Sequence, residues 1–170
     1  MTLTLLLPAV LLWATPVRAQ SGNRPDWNDP RDPLTNAIGL HMGEMGGNGL
    51  SFRLPLRWYL YAQITGGIWH TGEDKKHNLG LELNYILRQD DQLRLFLSAG
   101  LANFYHKELV TDTAAGQVWS KENNRNLGAG VGLEYLLGAR LAGKVELDFA
   151  HTEDDDSITV IPQVGLYFYW

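Results

Sequence analysis

Residues 158–170 alternate with a period of two. Ile158, Val160, Pro162, Val164, Leu166, Phe168 and Trp170 fall on one face. Thr159, Ile161, Gln163, Gly165, Tyr167 and Tyr169 fall on the other. Successive side chains point to opposite faces only in an extended strand, so this segment reads as a β-strand with two distinct faces. Any fold for the chain has to give both faces of such a strand an environment.

The same period recurs through residues 36–157. Candidate strands span 36–45, 49–56, 58–69, 77–88, 92–106, 125–137 and 141–151, with 158–170 as the eighth. Leucine dominates one phase, as in Leu79, Leu81 and Leu83, or Leu93, Leu95 and Leu97. A helical period fits these segments less well, and Gly128, Gly130 and Gly132 at alternate positions would weaken a helix there. The links 56–57, 89–91 and 138–140 are short, whereas 69–76, 107–124 and 152–157 are longer. The link 46–48 is short and breaks that alternation.

The opposite phase carries the charge: Arg53, Glu82, Arg94, Glu134, Lys144, Glu146 and Asp148, accompanied by His41, Tyr61, Gln63 and Asn84. Glu44 is an exception on the apolar phase, beside the first turn. An Arg or Lys facing lipid near the bilayer midplane costs about 2–4 kcal/mol, which accounts for such segregation if the leucines face lipid. No apolar run after residue 20 is as long as a spanning helix, and a membrane protein without helices has to be a closed barrel. The expected fold is therefore all-β: an eight-stranded antiparallel up-and-down transmembrane β-barrel. Such a lumen is narrow and filled by side chains. Three bases and four acids packed there are expected to pair as a plug, because an unpaired buried charge is costly. Gly80, Gly100, Gly128, Gly130, Gly132 and Gly165 share the inward phase and make room for the longer chains.

Residues 3–13 are almost wholly apolar, and Val17 and Ala19 supply the small residues a signal peptidase reads. Cleavage after Ala19 makes 1–19 a signal peptide, 20–35 a flexible periplasmic N-terminal segment rich in Pro, Asp and Asn, and 36–170 the barrel. The formal charge of −5 becomes −6 when Arg18 leaves with the signal. With no basic tract to follow phosphates, nucleic acid is not an expected partner. The chain has no cysteine, so neither disulfides nor thiolate metal sites can form.

Aromatics of the lipid phase collect at one end: Trp58 begins one strand, while Tyr85, Tyr135, Phe168 and Trp170 come late on strands of the opposite direction. They are expected to form a membrane-interface girdle at the periplasmic rim. Tyr105 marks the opposite girdle.

Two loop clusters hold metal-capable residue types: His70, Glu73, Asp74 and His77, and the acidic run 153–156. Neither has fixed ligand spacing, and both read as solvated loops with no metal or other cofactor. His151 has no serine two positions on, because residue 153 is Glu, so an acyl-chain hydrolase motif is incomplete. No nucleophile elbow, phosphate loop or zinc-spaced His pair is present, and no enzymatic activity is expected.

The strand-turn pattern, the inward charges, the glycine-alternating segment 127–135 and the terminal Tyr167, Phe168, Tyr169 and Trp170 together resemble the small bacterial outer-membrane β-barrel proteins of the OmpA-transmembrane/OmpX-like class. The resemblance implies location in the bacterial outer membrane, contact with its lipid, insertion by the barrel assembly machinery, and a structural or envelope role without catalysis. A monomer is expected. Two alternatives remain at this point. A soluble lipocalin-like carrier would turn the leucines inward around an apolar ligand. A lipid-modifying outer-membrane enzyme would depend on His151.

Overall fold

The computed structural model describes residues 36–57, 59–71, 74–113, 116–152 and 158–170. These form strands β1 (Ala37–Met42), β2 (Gly49–Arg57), β3 (Leu60–Thr71), β4 (Asp74–Gln89), β5 (Leu93–Thr113), β6 (Gly116–Leu136), β7 (Leu141–Thr152) and β8 (Ile158–Tyr169). Each strand pairs with its neighbour in sequence, and β1 pairs antiparallel with β8 to close the barrel. Closure leaves no open edge: Ala37 lies opposite Tyr169 and Met42 opposite Val164. The segments 1–19 and 20–35, Trp58, Glu73 and the run 153–156 lie outside the described residues.

The period-two pattern resolves into an outside and an inside. Leu40, Leu54, Leu81, Leu97, Val131, Leu147 and Val164 point outward and are exposed. Their alternates, including Arg53, Glu82, Ser98, Glu134, Glu146 and Gln163, point inward and are buried. The greasy face is thus the exterior and the polar face the packed lumen, the reverse of what a carrier with an apolar cavity requires. Among the described residues no helix is long and apolar enough to cross a membrane.

The structure departs from the sequence-based expectation in two ways, at the far ends of two hairpins and at the β1–β2 connection. The stretch 107–124, expected as a loop, is instead the far part of a long hairpin. β5 and β6 run on together to Thr113 and Gly116, with Lys107 opposite Lys121 and Glu108 opposite Ser120. Consecutive polar residues such as His106, Lys107 and Glu108 interrupt the hydrophobic alternation although pairing continues. β4 likewise begins at Asp74, paired with Thr71, where a loop over 69–76 was expected.

The second departure is at the β1–β2 connection. β1 ends at Met42, earlier than the expected 45, and the connecting turn folds into the barrel mouth, burying Met45, Gly46 and Gly47. Gly47 (φ 86°) and Gly49 (φ 127°) both occupy the left-handed half of backbone space, which glycine tolerates. The turn is short because it is a stopper rather than an outward loop.

Candidate functional site

The lumen holds two linked polar clusters. The first lies toward the end of the barrel where the chain's C-terminus emerges. Arg53 on β2 pairs with Glu134 on β6, and its Nη1 donates to the Tyr169 hydroxyl at 2.9 Å. Its Nε donates to Gln63 Oε1 at 2.9 Å. Its guanidinium carbon lies 3.4 Å from the centroid of the Tyr167 ring, a close cation–π contact. Arg94 reaches the same carboxylate at 3.2 Å, and the Tyr169 hydroxyl donates to it at 2.6 Å. Glu134 therefore accepts from two guanidiniums and a phenol, which is how a fully buried carboxylate is made tolerable.

The second cluster lies nearer the inward-folded turn. Lys144 on β7 pairs with Glu82 on β4 and, at 2.6 Å, with Glu146. Asn84 joins it, donating to Glu82 Oε1 at 2.7 Å and accepting from Lys144 at 3.1 Å. The Phe96 ring lies beside the ammonium, its centroid 4.9 Å from Nζ, within cation–π range. Asp148 accepts from Ser98 at 3.1 Å and from the Gln163 side-chain amide. Gln163 Oε1 in turn accepts from the Gly46 backbone N–H at 2.9 Å, tying this cluster to the turn.

The turn is fastened on several sides. Gly43 N–H donates to Asn48 Oδ1 at 2.8 Å and Asn48 N–H to Asn78 Oδ1 at 2.7 Å. Asn126 Nδ2 donates to the Glu44 carbonyl at 3.0 Å, while the Glu44 side chain stays exposed. His41, buried at the end of β1, bonds through Nδ1 to the Gly47 carbonyl at 2.8 Å. Met45 packs under the turn, where a side chain at Gly128 would reach to within 2.9 Å of its sulfur.

All seven charged residues singled out from sequence lie in these two clusters: Arg53, Arg94 and Glu134 in the first, Glu82, Lys144, Glu146 and Asp148 in the second. Sequence reasoning missed Phe96, Met45 and the role of Gln163. Phe96 is apolar on the polar phase, and its ring fills the space left by Gly132. That phase, read alone, would have shown it. Met45 was missed because the first strand was expected to run as far as Met45, whereas β1 ends at Met42.

Tyr85, Tyr135, Phe168 and Trp170 are about half exposed on the outer surface near the C-terminal end of the barrel. Tyr59 joins them, its ring edge-on to Tyr85 at 5.4 Å between centroids. At the far end Tyr105 stacks on His77 at 4.4 Å. Asp74 pairs with Lys76 and with His106, each at 2.9 Å. Two members of the loop cluster are thereby engaged with residues other than each other. His151 is exposed on the outer face of β7, opposite Leu127 and Ile158.

No protein-family model matches the chain, and no curated protein sequence matches it. Solved structures do. The N-terminal β-barrel domain of Pseudomonas aeruginosa OprF aligns with a TM-score of 0.57 at 20% identity, over 81% of this chain and 98% of that one. Ail, the attachment invasion locus protein of Yersinia pestis, aligns with a TM-score of 0.52 at 11% identity, over 80% and 97% respectively. The chain has the fold of a small outer-membrane β-barrel. At these identities the likeness speaks to architecture, and function has to be argued from the residues.

Proposed function

We propose that this protein is an integral bacterial outer-membrane barrel whose lumen is plugged by paired charges, with a structural or envelope role and no catalysis. The observation that carries the reading is the inversion of the usual globular pattern. Leucine and valine cover the outside while arginine, lysine, glutamate and aspartate fill the inside. An outer wall of that kind is favourable against acyl chains and unfavourable against water. The aromatic rim around Tyr85, Tyr135, Phe168 and Trp170 suits a headgroup interface, with outer-membrane lipid as the surrounding partner. The fold shared with OprF and Ail agrees with this reading; insertion by the barrel assembly machinery and a monomeric state are part of the same proposal.

The two clusters and the stopper turn support the plug, because they set paired side chains in the lumen from the Tyr169 end to the Gly46 end. Fractionation of the expressed chain with outer membranes, together with a mobility shift on boiling before electrophoresis, tests the membrane assignment. Recovery as a freely soluble protein overturns it. Planar-bilayer recording tests the plug separately: little or no steady current is expected, and a stable nanosiemens-scale pore contradicts it.

A further inference from the structure

We infer that His41, Glu82 and Glu146 form a divalent transition-metal site inside the barrel, beneath the β1–β2 turn. One donor atom from each of these residues lies within 4.8 Å of the others, and all three residues are buried. They come from β1, β4 and β7, so the fold rather than local sequence assembles them.

The hydrogen bonds leave the right atoms over. His41 Nδ1 is engaged by the Gly47 carbonyl, which requires a proton on Nδ1 and leaves a lone pair on Nε2. Nε2 has no hydrogen-bond partner among the described residues. A backbone carbonyl fixing one ring nitrogen so that the other can ligate is the usual outer-shell arrangement of a metal-binding histidine. Lys144 takes Glu82 Oε1 and Glu146 Oε2, pinning both carboxylates. The second oxygens, Glu82 Oε2 and Glu146 Oε1, are buried without hydrogen-bond partners among the described residues. One donor atom of each residue thus lies close to the other two, with the Lys144 ammonium against both carboxylates, and His41 Nε2 is left for a cation.

Charge and space agree. Glu82 and Glu146 against Lys144 leave a formal −1 beside His41, which a cation offsets. Around Glu134 the balance is instead +1, so the deficit is local to the His41 side. A Cβ at Gly46 would lie 2.6 Å from both Glu82 Oε2 and His41 Cε1. Glycine keeps that space open. An imidazole with two carboxylates suits Zn²⁺ and its first-row neighbours better than Ca²⁺ or Mg²⁺, which prefer all-oxygen sets, and a fourth position remains for water.

The site is independent of the membrane assignment and is tested on the full chain refolded in detergent micelles. Zn²⁺ is supplied during refolding, because the turn closes the mouth, and loosely held metal is removed by dialysis. One zinc retained per folded chain is expected by elemental analysis. His41→Gln and Glu146→Gln are each expected to weaken retention by at least the roughly 10–100-fold that loss of an outer-shell partner costs. A His70→Gln/His77→Gln double variant is expected to keep the metal. Failure of the wild-type chain to retain zinc overturns the inference, as does zinc that survives His41→Gln but leaves with the loop histidines. The boiling shift reports whether each variant has folded. Should the lumen variants fail to fold, ¹⁵N spectra of the histidine-labelled wild-type chain decide. Zn²⁺ should move the Nε2 resonance of one Nδ1–H tautomer among the five histidines. An unmoved set of ring resonances rejects the site.

Discussion

Arg53 and Glu134 meet across the lumen from β2 and β6, strands that stand opposite each other in the ring. The pair is a tie across the barrel diameter, and its two ends are not equivalent. Glu134 also holds Arg94 and Tyr169, so its removal strands two buried guanidiniums. Glu134→Ala is expected to cost about 3–5 kcal/mol, the usual penalty for breaking a buried ion pair from one side. Arg53→Met leaves Glu134 with Arg94 and should cost distinctly less. Urea unfolding in lipid vesicles, followed by tryptophan fluorescence, measures both, and equal losses would rule out the shared-acceptor arrangement.

Depth along the outer wall supplies a second expectation. Leu147 sits in the middle of β7 and Leu137 just past the end of β6, both exposed outward. If lipid surrounds the barrel, Leu147→Arg costs about 2–4 kcal/mol and Leu137→Arg about 0–1 kcal/mol. The same unfolding assay compares them. Two small and equal effects would mean that water, not lipid, meets this face.

The β1–β2 stopper depends on backbone that only glycine adopts easily. Gly49 has φ 127°, and a Cβ there would approach the Gly66 carbonyl oxygen and lie 2.9 Å from Gly67 Cα. Gly49→Ala should therefore destabilise the barrel by about 1–3 kcal/mol. Gly138, in the β6–β7 turn, has open space around the corresponding position. Gly138→Ala is expected to stay within about 0.5 kcal/mol of the wild type. A neutral Gly49→Ala would show that the turn does not need its strained geometry.

The strands were legible wherever one face met an apolar exterior and the other a polar lumen. Leu79, Leu81 and Leu83 alternating with Gly80 and Glu82 need no further information to be read as β4. The signal fails above that belt. Around His106, Lys107 and Glu108, paired with Glu122, Lys121 and Ser120, polar residues follow one another along both strands, so the pairing leaves no imprint on hydrophobicity. The inward phase could also be read as a list of charges, but not as pairs. Arg53 and Glu134 are separated by 81 positions, and Lys144 and Glu82 by 62, so their partnership exists only once the ring closes. For the same reason, local spacing showed metal-capable residue types only in the outer loops, and these read as solvated. The three donors that converge are His41, Glu82 and Glu146, spread along the chain.

Asp74 gives the clearest pH expectation, because it lies beyond the apolar belt. Its hydrogen bond to Lys76, followed by the attraction of Lys76 and His106, holds its carboxyl below the ordinary value of 3.8. A depressed carboxylate stabilises the state in which it is ionised. The contribution is therefore fully present above the unfolded value and is lost as pH falls through the lowered folded value. Because Asp74 is solvent-accessible, the effect on global stability is small and weakens with salt. It should be visible locally: a side-chain carboxyl ¹³C titration of Asp74 is expected to show a midpoint below 3.8, which Lys76→Gln moves upward. A midpoint unchanged by Lys76→Gln would show that the 2.9 Å contact between the two does not hold the carboxylate in solution.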